Sequence, residues 1–199
     1  MLTLLGNRSS TCDGLSRRQL MQVGGAGLSH VDFTLVEREL GRGSMALTHF
    51  FGRPQNILMA CNAEQRERYL LPAVRGDRMD ALAMTEPDAG SDVRGMKCSA
   101  TRDGKDWVVN GSKHFISGAE HADFFIVFIA TGVDETPKGP KKRITTFLVD
   151  RGTPGFEVRE GYNSVSHKGY KNCILYFDNC RLPDAQVLGE VDGGFAVMT

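Results

Sequence analysis

The chain has 199 residues, with 24 Lys and Arg balanced by 24 Asp and Glu, and 41% apolar content. At about 100–200 residues per domain this makes one large domain or two small ones, with enough length to bury a sizeable core. Neutrality excludes the basic excess of a dedicated nucleic-acid binder, and ordinary composition excludes wholesale disorder. No run of about 18 apolar residues occurs that would span a membrane as a helix.

Residues 1–29 stand apart. Ser16-Arg17-Arg18-Gln19-Leu20-Met21, followed by Val23-Gly24-Gly25-Ala26-Gly27-Leu28, looks like the opening of a twin-arginine export leader. The apolar run is short, contains Gln22 and several glycines, and leads to no A-x-A cleavage site. The segment therefore reads as leader-like or disordered, and as a non-functional or foreign leader in preference to a working one.

Residues 30–79 read as a partial helical domain. Val31, Leu35, Val36 and Leu40 keep helical spacing up to Gly41 and Gly43. Ser44 to Ala60 is largely apolar, and Pro54 predicts a kink or break in it. Ala63 to Val74 is polar on one side and apolar on the other (Tyr69, Leu70, Val74), with Glu64 and Arg68 at i,i+4.

Residues 80–190 read as a β-domain. Ala81 to Thr85 is a short apolar strand, and Cys98 to Arg102 alternates weakly. Asn110-Gly111, between Trp107-Val108-Val109 and Lys113 to Ile116, predicts a hairpin turn. Phe124 to Ala130 predicts a buried strand, and Ile144 to Val149, Phe156 to Arg159 and Cys173 to Phe177 predict three more. Short strands with Gly/Pro turns point to an antiparallel sandwich or barrel. The basic run Lys138 to Arg143 reads as a solvated hairpin tip. Val191 to Thr199 looks like a loop and the first turn of a helix, the start of a truncated C-terminal helical domain.

The usual chemical motifs are missing. There is no HExxH, GxSxG or Walker-type loop. Cys12, Cys61, Cys98, Cys173 and Cys180 form no CxxC pair, so they read as free thiols of a reducing compartment and not as zinc ligands or a disulfide scaffold. His49, His114, His121 and His167 show no ligand spacing. One segment stands out: Leu82 to Gly95, LAMTEPDAGSDVRG, where a strand runs into Glu-Pro and a small-residue loop. Gly90 allows close backbone approach, Ser91 offers a hydroxyl and an amide, and such a loop can present N–H groups to a phosphate.

Ala83 to Gly95 closely resembles the first signature of the acyl-CoA dehydrogenase family. Cys61 to Pro72 is similar to the helix that precedes it there, and Asn110 to Ser117 resembles the second conserved block. Phe147 to Asp150 with Thr153 to Phe156, and Phe177 to Pro183 with Val187 to Gly189 and Gly193 to Phe195, look like later blocks in the same order. The resemblance runs from about Val31 to Thr199.

It implies an α+β chain: a partial N-terminal helical domain followed by an antiparallel β-barrel domain of acyl-CoA dehydrogenase type. It also implies FAD as cofactor and an acyl-CoA thioester as substrate. In that chemistry a carboxylate removes the α-proton and a hydride passes to flavin N5. An electron-transfer flavoprotein would be the acceptor, and the intact family forms homo-oligomers. Carried over by position, Leu82, Met84, Thr85, Gly90 and Ser91 fall in the first FAD-contacting run, and Phe115, Ile116 and Ser117 in the second. Thr85 would face the polar edge of the flavin ring, and Ser91 the pyrophosphate and the CoA moiety. Ser117 would approach N5, and Phe115 would pack beside the ring. Phe115 stands where an aromatic, often tryptophan, is usual. Asp88 replaces a common glycine, and Gly132 replaces a serine that touches CoA in some members.

The resemblance assigns no catalytic residue and no metal. The family's catalytic carboxylate lies in a C-terminal bundle that is not in this sequence, and Glu86 is expected to hold its own loop. The chain alone is therefore expected to be inactive and to retain FAD weakly at best. Related oxidases and flavin monooxygenases share the architecture. A truncated non-enzymatic protein with residual FAD or CoA binding, or the larger half of a split enzyme, are the rival readings. The expected compartment is the cytoplasm.

Overall fold

The computed structural model describes residues 30–43, 54–137, 139–165 and 171–198. The leader-like segment, the first half of the Ser44–Ala60 prediction, Lys138 and His167 lie outside them.

Helix α1 spans His30–Gly43, overlapping the predicted Val31–Leu40 run. Beyond Pro54 the chain makes a short 3-10 turn, Asn56–Ala60, not a helix. Helix α2 covers 63–75 in three parts: Ala63–Gln65, a π-helical turn Arg66–Leu70, and Leu71–Arg75. It starts at a capping box. The Asn62 side chain accepts from Gln65 N at 2.9 Å, and the Gln65 side chain accepts from Asn62 N at 3.2 Å. The predicted Glu64–Arg68 pair does not form. Arg68 reaches instead to Asp150, at 2.6 Å. Arg78 binds the other oxygen of Asp150 at 2.6 Å, and the Tyr69 hydroxyl donates to Asp150 at 2.9 Å. This carboxylate pins α2 to the sheet.

Eight strands follow in one curled, mixed sheet: β1 Asp80–Ala83, β2 Ser99–Asp103, β3 Asp106–Ser117, β4 Phe124–Thr136, β5 Gly139–Asp150, β6 Phe156–Tyr162, β7 Asn172–Pro183 and β8 Val187–Leu188. The order is β6-β7-β3-β2-β4-β5-β8, with β1 paired to β4 off this path. Most pairings are antiparallel, as expected. β1 runs parallel to β4, and Ser99 of β2 meets Ala130 of β4 in parallel. The α+β expectation holds, with these parallel pairings added to it.

β4 is buried on both faces, which explains its unbroken apolar run. Phe125, Val127 and Ile129 join a cluster inside the sheet with Trp107, Phe147, Leu175 and Phe177. Phe124, Ile126 and Phe128 join a second cluster on the helix side with Leu58, Tyr69, Leu70 and Leu148.

The Asn110–Gly111 turn is a misreading. β3 passes straight through these residues, and the hairpin reversal falls at Gly104-Lys105 between β2 and β3. Gly111 sits in a bulge, where pairing with β7 slips between Val109 and Gly111, at φ 134. A Cβ there would lie 2.6 Å from the Cα of Cys98, so the glycine serves close approach of strands instead of a reversal. The basic run is also more than a tip, since Lys141, Lys142 and Arg143 belong to β5.

Candidate functional site

The site is assembled where the end of β1 meets β3. The amide of His114 donates to the carbonyl of Thr85 at 2.8 Å, which sets the two family-like runs side by side.

The loop after Thr85 is held from within. Glu86 and Ala89 exchange backbone hydrogen bonds of 3.0 and 3.3 Å around Pro87-Asp88. The Glu86 carboxylate accepts from the amides of Lys97 and Cys98, and from Lys113 Nζ at 2.6 Å. Lys113 also donates to the carbonyl of Met84 at 3.2 Å. Glu86 and Lys113 are both buried. A buried pair survives only when its remaining bonds are also met, as they are here. Glu86 thus holds its loop, as expected. Lys97, paired with Asp88 at 2.7 Å, adds a surface brace and lowers the Asp88 carboxyl below its ordinary value.

Beyond Lys113 a second bulge re-aims β3. Pairing with β7 slips between Lys113 and Ile116, and Phe115 takes φ 57. A positive φ at a bulky non-glycine residue is rare and strained. Its effect is a change of phase: Lys113 and Ile116 both point inward, while Phe115 and Ser117 point out. Phe115 is 52% exposed, and Ile116 is 2% exposed. The Phe115 ring stacks on Tyr162 with centroids 4.4 Å apart. Tyr162 is held in turn by a 2.8 Å hydrogen bond to His114 Nδ1. The Ser117 hydroxyl donates to Asn172 at 2.8 Å.

The structure therefore brings Thr85, Phe115 and Ser117 to one edge. Gly90 and Ser91 lie exposed farther along the loop, and a Cβ on Gly90 would meet nothing within 4 Å. Packing within the chain does not demand that glycine, so its smallness is available to a ligand. Leu82 and Met84 pack against the helix-side cluster and Ile116 enters the core, so these three have little but backbone to offer. Sequence reasoning passed over Lys113, Tyr162 and Asn172. The available signal for Lys113 was a lysine at an inward strand position within reach of an acidic loop. Among the described residues no group of three or more His, Cys, Asp or Glu is placed to hold a metal ion.

Known proteins share this fold. The family profile "Acyl-CoA dehydrogenase, middle domain" matches residues 81–180, and "Acyl-CoA dehydrogenase, N-terminal domain" matches residues 17–77. The second match begins within the segment read as leader-like. Isovaleryl-CoA dehydrogenase, mitochondrial, of Pongo abelii is 34% identical over 183 residues, covering 89% of this chain and 43% of the relative. The chain thus spans less than half the length of that curated relative. Butyryl-CoA dehydrogenase of Megasphaera elsdenii superposes with a TM-score of 0.76 at 27% identity, over 90% of this chain and 51% of that one. A glutaryl-CoA dehydrogenase of Mycobacterium smegmatis in complex with FADH2 gives 0.71 at 30% identity, over 88% of this chain and 44% of that one.

Proposed function

Because this chain belongs to the acyl-CoA dehydrogenase family, we propose that the edge formed by Thr85, Phe115 and Ser117 faces FAD in an enzyme that desaturates an acyl-CoA thioester. The observation that carries the reading is the second bulge of β3, which turns Phe115 and Ser117 outward beside Thr85. The residues fit a flavin. An exposed aromatic offers ring contact, two hydroxyls flank it, and the open space at Gly90 suits a close-lying phosphate chain.

When bound, FAD would supply the acceptor, at N5, for a hydride from the acyl β-carbon. Thr85 would place its hydroxyl and amide against the polar ring edge, where negative charge grows on reduction. Ser117, steadied by Asn172, would offer its oxygen near N5. Phe115, backed by Tyr162, would pack beside the ring and exclude water. Gly90 and Ser91 would present backbone N–H and hydroxyl groups to the pyrophosphate, and Ser91 also to the CoA moiety. Leu82, Met84 and Ile116 would contribute through their backbone.

Glu86 is committed to Lys113 and two amides, so α-proton removal falls to no described residue. Under this reading the chain alone binds FAD weakly and does not turn over. An electron-transfer flavoprotein, a homo-oligomeric assembly and the cytoplasm belong to the same reading. Among the described residues, no helix is long and apolar enough to cross a membrane.

The test is a titration of the purified chain with FAD, followed by flavin fluorescence and by the protein's bound absorbance. Saturable binding is expected, weakened about fivefold or more by Phe115→Ala and by Thr85→Val, the scale of one lost contact of about 1 kcal/mol. Absence of saturable binding, or equal binding by both variants, overturns the reading.

A further inference from the structure

Two consecutive residues of β3 hold two consecutive carbonyls of the chain leaving β1. Lys113 Nζ donates to the carbonyl of Met84 at 3.2 Å, and the His114 amide donates to that of Thr85 at 2.8 Å. The Thr85 amide and hydroxyl, by contrast, have no partner among the described residues. A half-buried backbone N–H without a partner is set for an acceptor from outside the chain. The Lys113 ammonium also meets Glu86 Oε1 at 2.6 Å and Met96 Sδ at 3.8 Å, so three acceptors answer its three N–H bonds. An ion pair buried in this way adds little net stability over an apolar pair of the same shape. Packing alone therefore does not call for a lysine here. What the lysine adds is a charged donor on the Met84 carbonyl.

That carbonyl and the Thr85 N–H belong to one peptide unit. The unit is trans, so the two groups point in opposite directions, the carbonyl toward Lys113 and the N–H away from it. A cation on the oxygen draws electron density from the nitrogen through the amide resonance, which makes the N–H a stronger donor. The effect is larger where water is excluded, as it is around this buried ammonium. Glu86 balances the charge but is spent on Lys113 and on the amides of Lys97 and Cys98. The polarised peptide thus faces the ammonium alone.

We propose that Lys113 is a positioning residue for the redox step. Through the Met84–Thr85 peptide it strengthens the hydrogen bond that the Thr85 N–H gives to the flavin edge, and so favours reduced flavin over oxidised. This role rests on the proposed placement of Thr85 against the ring. Negative charge on that edge grows on reduction, so a stronger donor there stabilises the reduced form more than the oxidised one. No bond is made or broken at Lys113, which keeps its proton throughout.

The experiment measures the affinity of the full chain for oxidised FAD and, without air, for dithionite-reduced FAD. It compares wild type, Glu86→Gln and Glu86→Gln/Lys113→Met. The double variant is used because Lys113→Met alone would strand the Glu86 carboxylate, and it leaves the net charge of the site unchanged. Its affinity for reduced FAD is expected to fall about fivefold more than its affinity for oxidised FAD, which is about 20 mV for a two-electron couple. Glu86→Gln keeps the bond to Met84 and should not weaken the preference for reduced FAD. In the flavin-free chain, NMR should show the Thr85 amide proton moved upfield in the double variant, as its peptide loses the cationic donor. Equal losses for the two redox states, or an unmoved Thr85 amide, overturns the role and leaves Lys113 a purely structural residue. If binding responds to Phe115→Ala while the double variant keeps the wild-type ratio, the flavin edge stands and the role of Lys113 falls. If wild type takes up neither form, the flavin reading falls and this role falls with it.

Discussion

Lys113 Nζ lies 2.6 Å from Glu86 Oε1, with the two side chains 0% and 3% exposed, and the pair joins the loop after β1 to the middle of β3. Removing one partner leaves a charge buried alone. Lys113→Met is expected to lower unfolding free energy by about 3–5 kcal/mol. Glu86→Gln keeps one carbonyl oxygen in the place that accepts from the amides of both Lys97 and Cys98, so Glu86→Gln/Lys113→Met should cost clearly less than the sum of the single changes. Urea unfolding of the three variants measures this. Additive costs would show that the two charges do not act as a pair.

Asp80 gives the fold a pH dependence. Burial pushes its carboxyl up to about 6, against hydrogen bonds from backbone amides that pull it down. Its Oδ2 is buried without a partner. A carboxyl raised in the folded state binds its proton more tightly there than in the unfolded chain. Stability from this group is therefore full below its ordinary range near pH 4 and is lost as pH rises through about 6. Asp80→Asn should raise stability at pH 7–8 by on the order of 1–3 kcal/mol and flatten the slope between about pH 4 and 6. Thermal melts across that range decide it, and an unchanged slope would refute it.

Two glycines of positive φ separate backbone strain from steric conflict. Gly104, φ 63, turns the β2–β3 hairpin in open space. Gly155, φ 77, would put a Cβ against the carbonyl of Asp178 and 2.9 Å from the Cα of Cys180. Gly104→Ala should cost about 1 kcal/mol, from conformation alone. Gly155→Ala should cost more than about 3 kcal/mol, because β7 backbone has to shift. Equal destabilisation in chemical denaturation would contradict the stated packing.

The described cysteines are predicted to be inert. Cys61, Cys98, Cys173 and Cys180 are all buried. Burial pushes the thiols of Cys61 and Cys180 up to about 11 and that of Cys98 to about 12, and it raises Cys173 as well. The thiolate is the reactive form. At pH 8 a thiol reagent should label none of these four cysteines quickly, with labelling following only on addition of denaturant. Rapid labelling of any of the four in native buffer would count against this burial.

The resemblance to known blocks made the loop of Glu86 and the run Phe115 to Ser117 legible in the sequence. The double burial of β4 showed as an apolar run without alternation. Other features were hidden for physical reasons. A glycine after an asparagine signals a reversal only if the strands part there. In β3 the same pair lets Cys98 approach and the strand continues. Arg68 lay correctly placed for Glu64, yet two arginines and a tyrosine converge on Asp150, 81 or 82 residues from Tyr69 and Arg68. Local spacing carries no information about such a partner. Tyr162 and Asn172 are likewise brought to Phe115 and Ser117 only by the pairing of β6, β7 and β3.

The slip at Phe115 also makes the exposed edge a matter of strand phase as much as of residue identity. Strand side chains alternate with period two, so unbroken alternation from Lys113 would turn Phe115 and Ser117 inward and Ile116 outward. The one supernumerary residue between Lys113 and Ile116 reverses that. It also leaves two side chains, His114 and Phe115, between two buried ones, and Tyr162 holds both, through a hydrogen bond to the imidazole and a stacked ring. One tyrosine thus spans the place where the strand loses step.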